Sequence, residues 1–319
     1  MKTIYLVLPC YNEELVIKDS ASKLKELMQK LINEKTISEQ SKVYFVNDGS
    51  CDRTWELLEE ICRENGLFGA ISLSANCGHQ NAILSGMMYV KDECDAVITL
   101  DADLQHDITA IPEFVKRFNE GYEIVYGVRK SREGERKFKK ITGDTFYTVM
   151  QLSGAKLIRN HADYRLMSSK AIQALSGYEE ANLFLRGIIP SMGFKSTTLE
   201  YQEKPRLAGE SKYSLKKMLK LAADGITSFS IRPLQMISLC GVFAFILSII
   251  MLIYALVVYL ESGTVPGWTS IVAPIWFLGG IQLLSLGVVG EYIGKIYMET
   301  KHRPRYIVDQ VIKAGNQEL

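Results

Sequence analysis

The sequence predicts an α/β protein with a doubly wound, mainly parallel sheet, followed by an interfacial amphipathic helix and two transmembrane helices. Two observations carry this. From Ile4 to Gly127, short apolar runs alternate with segments of helical 3–4 spacing, the pattern of β-α units joined by right-handed crossovers. Further on, Pro233–Leu260 and Ser262–Gly290 contain no Asp, Glu, Lys or Arg. Each is longer than the ~20 residues that cross a bilayer. The chain thus divides into an α/β domain over 1–213, an amphipathic helix over 214–232, two spans (about 234–260 and 268–290) within 233–295, and a tail over 296–319. A net charge of +1 gives no general attraction to nucleic acid. The cysteines Cys10, Cys51, Cys62, Cys77, Cys94 and Cys240 show no CxxC spacing and read as reduced packing residues.

Ile4–Leu8 is a first strand stopped by Pro9, and Asn12-Glu13-Glu14 begins a helix carrying Leu24, Leu27, Met28 and Leu31. Val43–Val46 is a second strand, ending in Asn47-Asp48-Gly49-Ser50. Asp52 is the N-cap candidate for the helix with Leu57, Leu58 and Ile61. Ala70–Leu73 is a third strand, followed by a helix from Gly78 to Tyr89. Ala96–Leu100 is a fourth strand, then come a helix over 109–120 and a strand at Glu123–Gly127. Asp163–Met167 reads as a short strand with polar groups on one side, and Lys195–Glu203 as another.

Between them, Arg129, Lys130, Arg132, Arg136, Lys137, Lys139 and Lys140 form a basic run. Such a run is either a solvated loop or, on the ligand edge of the sheet, a place for Arg129 and Arg132 to meet phosphate. Leu215 to Phe229 is an amphipathic helix that suits either the membrane interface or docking on the α/β domain. Only Glu261 is charged between the two apolar runs, whereas Lys295, Lys301, Arg303 and Arg305 follow them. The excess of positive charge places both termini and the α/β domain in the cytoplasm, as a multi-pass protein of the cell (inner) membrane. Gly279, Gly280, Gly287 and Gly290 permit close helix packing, so a homo-oligomer through the spans is open.

The chemistry concentrates where strands end. Asp101 and Asp103, two residues apart after the fourth strand, can share one target if the chain stays extended there. Two close carboxylates call for a cation or a proton, and their hard oxygens suit Mg²⁺ or Mn²⁺. The alternative is that one of them only caps a turn. Asn76-Cys77-Gly78-His79-Gln80 offers backbone amides to an anion at a helix start, while His79 itself reads as a structural hydrogen-bonder. No GxGxxG follows the first strand, and neither a P-loop nor a Gly-x-Ser-x-Gly elbow is present.

Taken together, Leu8–Glu14, Val46–Ser50, Asn76–Gln80, Asp101–Gln105, Gly127–Arg129, Asp163–Met167, Gly209–Tyr213 and Gly290–Tyr297 resemble the family 2 glycosyltransferases of GT-A fold. Within them the set resembles the polyprenyl-phosphate enzymes of the bactoprenol glucosyltransferase and dolichol-phosphate mannosyltransferase kind. The resemblance implies that Pro9, Tyr11, Glu13, Asp48, Gln80 and Asp101 hold the nucleotide, and that Asp103, with Asp101, holds a divalent ion. It also implies that Asp163 and Arg129 face the reacting centre, and that Arg206, Ser211, Lys212 and Arg132 meet the lipid phosphate. The donor would be a nucleotide sugar, UDP-glucose first, and the acceptor a polyprenyl phosphate in the membrane. Ala75 and Asn47 stand where relatives carry Arg and Asp, and the Gln-x-x-Arg-Trp of processive synthases is missing. A glycan-extending synthase or a non-catalytic, membrane-anchored nucleotide-binding subunit are the alternatives.

Overall fold

A computed structural model describes residues 1–130, 158, 161–180, 183–202, 232–262 and 267–315. These residues fall into two units. One contains 1–130, 158, 161–180, 183–202 and 303–315, and the other 232–262 and 267–302. In sequence, the second unit is inserted between two strands of the first unit's sheet.

The first unit is built on β1 (Ile4–Cys10), β2 (Val43–Asn47), β3 (Phe68–Leu73) and β4 (Ala96–Thr99). They are connected by α1 (Ile17–Asn33), α2 (Thr54–Glu64) and α3 (His79–Val90). All four strands are buried along their whole length, which is why they read as continuous apolar runs rather than as alternating ones. After β4 come a short 3-10 turn and α4 (Ile111–Asn119), then β5 (Ile124–Arg129), β6 (His161–Ser168), α5 (Ser169–Leu175), α6 (Leu185–Ser191) and β7 (Ser196–Tyr201). Leu6, Leu8, Phe45, Leu58, Phe114 and Leu166 are among the fully buried residues of the core.

The sheet order is β7-β5-β6-β4-β1-β2-β3-β8, where β8 is Val308–Ile312. Strands β4-β1-β2-β3 are parallel, as is the β5–β7 pair. The sheet is mainly parallel, as expected, with two exceptions: β6 runs antiparallel to both neighbours, and β8 antiparallel to β3. The sheet is mixed. The direction of β6 matters for the site, because it brings the start of that strand to the end of β4.

Two local expectations change. The helix expected from Asn12 begins at Ile17, because Asn12 adopts a left-handed φ of 55° and the amides of Val16 and Ile17 turn back onto the Glu13 carbonyl. Asp52 does satisfy the start of α2, accepting from the Thr54 amide at 3.0 Å and its hydroxyl at 2.6 Å. The polar side of β6 is buried, with Asp163 at 6% and Arg165 at 0% exposure. Beyond Arg303 the chain forms β8, and the Ser74 amide donates to the Ile307 carbonyl at 3.0 Å. In the sequence these residues read as a tail, and the strand at Val308–Ile312 is a departure from that expectation.

In the second unit, α7 (Arg232–Ser262) and α8 (Trp268–Thr300) are long and apolar. Leu239, Phe243, Leu283 and Leu284 are each about 70% exposed, so apolar side chains point away from the protein. Among the described residues, one stretch, Phe277–Thr300, is long and apolar enough to cross a membrane, and Leu234–Ala244 is a shorter apolar one. The amphipathic helix expected over 214–232 lies outside the described residues except for Arg232, which opens α7.

Candidate active site

The polar residues gather at the carboxyl edge of β1, β2 and β4. There the loop after β1 and the loop after β2 latch together: Asn12 N–H donates to Ser50 Oγ at 3.0 Å, and Cys51 N–H returns to Asn12 Oδ1 at 2.9 Å. Glu13 N–H donates to Thr54 Oγ1 at 2.9 Å. Pro9 is buried at the end of β1, while Tyr11, 46% exposed, and half-buried Glu13 flank the latch.

Asp48 ties the β2 loop to the loop after β3. Its carboxylate accepts from the amides of Cys77 at 2.7 Å and Gly78 at 3.0 Å. Burial raises its pKa, and the two amides only partly offset that. Two of the amides expected to meet an anion ligand at the start of α3, those of Cys77 and Gly78, are therefore already occupied, by a carboxylate of the protein itself. Gly49 allows this approach: its φ is 64°, and a Cβ there would lie 2.5 Å from the Asn76 nitrogen.

Beyond β4 the chain does not stay extended, which corrects the expectation that Asp101 and Asp103 project side by side from a strand. It turns at Leu104, whose φ is 49°, and the Leu104 amide donates to the Asp101 carbonyl at 3.1 Å. Asp103 accepts from the Gln105 amide at 3.2 Å and also from its side chain. His106 anchors the turn from inside. Buried and stacked on Tyr164 with ring centres 5.0 Å apart, its Nδ1 accepts from the Asp101 amide at 3.2 Å. Burial lowers the pKa of this ring against the raising effect of Asp101, and the positive charge of Arg129 at the end of β5 adds to the lowering.

The register of β4 with β6 pairs Thr99 with Arg165 antiparallel. Continued two residues past β4, it sets Asp163 opposite Asp101. His79, the first residue of α3, lies between the two, with Nε2 3.5 Å from Asp101 Oδ1 and 3.6 Å from Asp163 Oδ2. Desolvation works against protonating His79, but its hydrogen bond to Asp163 and the nearby Asp101 outweigh it and raise its pKa. Asp163 is held on both sides. Arg165 Nη2 donates to Oδ1, while Arg186 donates from Nη2 to Oδ2 at 2.8 Å and from Nε to Oδ1 at 3.3 Å. Burial alone would raise this carboxyl's pKa, yet His79 and the two guanidiniums hold it well below the usual carboxylate range.

The structure thus brings Asp101, His79 and Asp163 into one cluster, with Asp103 on the adjoining turn. Gln80 sits beside His79, where its Oε1 accepts from the Leu185 amide at 2.9 Å. Arg132, Arg206, Ser211 and Lys212 lie outside the described residues. Arg186 was missed by sequence reasoning. Its one signal was a lone charge in the apolar run Phe184–Ile189, which points to a buried partner elsewhere.

A divalent ion is compatible with the turn. Asp101 Oδ1 is buried and makes no hydrogen bond, and the Asp103 oxygens keep lone pairs beyond the two that Gln105 uses. Among the described residues no group of three or more His, Cys, Asp or Glu could hold a metal. One or two carboxylates suffice for Mg²⁺ when substrate phosphates and water complete its shell.

In open α/β sheets the carboxyl edge of the strands is where ligands bind. The profile of Glycosyl transferase family 2 matches residues 5–176. Glycosyltransferase YkoT of Bacillus subtilis, itself uncharacterized, is 48% identical over 98% of this chain and 93% of its own. The bactoprenol glucosyl transferase of Shigella phage SfV is 34% identical over 96% of this chain and 97% of its own. The prophage bactoprenol glucosyl transferase homolog of Escherichia coli is 34% identical over 97% of this chain and 99% of its own. The chain belongs to glycosyl transferase family 2.

Proposed function

We propose that the protein moves one sugar, glucose, from UDP-glucose to a polyprenyl phosphate at the cytoplasmic face of the cell membrane. The observation that carries this is the extent of similarity to the bactoprenol glucosyl transferases, which runs through the apolar helices as well as the sheet. The exposed apolar side chains of α7 and α8 support a two-span anchor, and the basic residues after α8 support a cytoplasmic catalytic domain.

In this reading Pro9, Tyr11 and Glu13 contact the nucleotide, and Asp48 holds the loop beside it. Asp101 and Asp103 would hold Mg²⁺ or Mn²⁺, which when bound neutralises charge on the donor diphosphate. An oxygen of the lipid phosphate attacks the anomeric carbon, and the bond from that carbon to the diphosphate oxygen breaks, its electron pair leaving with the nucleotide. The second pKa of a phosphate monoester is ~6, so the attacking group is already largely anionic at pH 7 and needs no strong base. Asp163 suits that chemistry: pinned by two guanidiniums, it is a poor proton acceptor but a fixed negative charge beside a sugar that becomes positive. His79 and Arg129 supply positive charge near the leaving diphosphate. Arg206, Ser211, Lys212 and Arg132 are proposed for the lipid phosphate.

The test is transfer of labelled sugar from a panel of nucleotide sugars into organic-extractable lipid, with one polyprenyl phosphate supplied. Label from UDP-glucose should enter the lipid. A water-soluble or polymeric product, or no product, would overturn the reading.

A further inference from the structure

Three elements meet at Asp163. Strand β6 supplies the carboxylate and, two residues on, the fully buried Arg165. Helix α6 supplies Arg186, which reaches both carboxylate oxygens from the more open side of the cluster, its side chain 38% exposed. Helix α3 supplies His79 and Gln80. The first turn of α6 has no side-chain cap of its own at Phe184. Instead, Gln80 Oε1 accepts from the amide of Leu185, the residue immediately before Arg186. A continuous path therefore runs from the start of α3, through the Gln80–Leu185 hydrogen bond and the Arg186 guanidinium, to Asp163.

We propose that Arg186 is a positioning residue for the transfer reaction, and that Gln80 acts in series with it by setting where α6 begins. Arg165 lies on the same strand as Asp163 and pairs with Oδ1 alone among the carboxylate oxygens. A carboxylate held at one oxygen can still rotate about its terminal torsion, which is a broad, soft one. Arg186 fixes the second oxygen with the planar fork that Arg presents to carboxylates. It thereby fixes the face that Asp163 turns to His79 and Asp101. Gln80 contributes its acceptor oxygen to α6, and its amide NH2 is a separate donor.

The inference rests on Asp163 serving sugar transfer as set out above. Full-length enzyme in phospholipid vesicles is assayed with UDP-glucose and polyprenyl phosphate, as wild type and as Arg186→Ala, Arg186→Lys, Gln80→Ala, Gln80→Glu and the double Gln80→Ala/Arg186→Ala. Because a misplacement of ~1 Å can cost about 100-fold, Arg186→Ala should lower kcat by about that factor, and Gln80→Ala by about tenfold. Donor KM should stay within about threefold of wild type, since uniform binding is untouched. Arg186→Lys should recover part of the loss, and it remains readable if Arg186→Ala fails to fold. Gln80→Glu keeps an acceptor for the Leu185 amide and should lose less than Gln80→Ala. The double variant should be no slower than Arg186→Ala, as expected for groups acting in series. Multiplying effects in the double variant, or a raised donor KM with kcat unchanged, would overturn the inference. A wild type that hydrolyses UDP-glucose without glycosylating the lipid would defeat the functional reading only. The same series would then be read through the hydrolysis rate.

Discussion

Asp48 and Asp163 are buried at the carboxyl edge of the sheet with both oxygens taken by protein donors: backbone amides for one, guanidiniums for the other. Asp101 and Asp103, on the turn next to them, are only half-buried, and Asp101 keeps a buried oxygen with no hydrogen bond. The same residue type thus does two jobs within one edge. A carboxylate whose acceptor sites are filled by the chain cross-links loops and is costly to remove. One with capacity left over, on a turn held from beneath by His106, is a place for a cation brought by a substrate.

The contrast can be broken by substitution. Asp103→Asn should lower transfer by about 10²–10³-fold while the thermal unfolding midpoint barely moves, because it removes charge from a half-exposed turn. Transfer at wild-type rate would place the cation elsewhere. Asp163→Asn should instead destabilise the domain by about 3–5 kcal/mol, since fully buried Arg165 loses its charged partner. A normal midpoint there, read by thermal unfolding, would mean the pair is not what holds the cluster. Gly49→Ala should cost about 2 kcal/mol or more, because the left-handed φ and the 2.5 Å approach to the Asn76 backbone must both give way. The denaturation midpoint checks it, and loss of the Asp48 brace would be the visible consequence.

The smallest effect concerns pH. His161, buried on β6 beside Asp163, has its pKa pushed down to about 3, first by burial and then by the charges of Arg165 and Arg186. Below pH 6.5 the unfolded chain binds a proton at this residue that the folded chain refuses until about pH 3. Stability is therefore complete above pH 6.5 and falls as pH drops, by about 2 kcal/mol at pH 5. His161→Phe should flatten that part of the stability profile relative to wild type. Parallel profiles would show that His161 is not the group responsible.

The legible parts of this molecule were those encoded locally. Strands β1 to β4 appeared as apolar runs ended by turn residues, and the acidic turns after them were visible for the same reason. The two long helices stood out because charge vanishes over Pro233–Leu260 and Ser262–Gly290. The illegible parts were relations between distant segments. Nothing in His161–Ser168 states that this strand runs antiparallel between β4 and β5, yet that direction sets Asp163 against Asp101. Nothing in Val308–Ile312 names β3 as its partner. Arg186 joins the site through a contact across 23 residues, and Gln80 meets α6 through one across 105. Asp101 and Asp103 do not project side by side because Leu104 takes a left-handed conformation that side chains of its type rarely adopt.

Manganese binding tests the division of the carboxylates most directly. Mn²⁺ would be titrated into the full-length protein with UDP present, and the free ion followed by electron paramagnetic resonance. Binding should be tight in wild type, weakened by about tenfold or more in Asp101→Asn and in Asp103→Asn, and unchanged per folded molecule in Asp48→Asn. Undiminished binding after both Asp101 and Asp103 are replaced, or weakening confined to Asp48→Asn, would contradict the account.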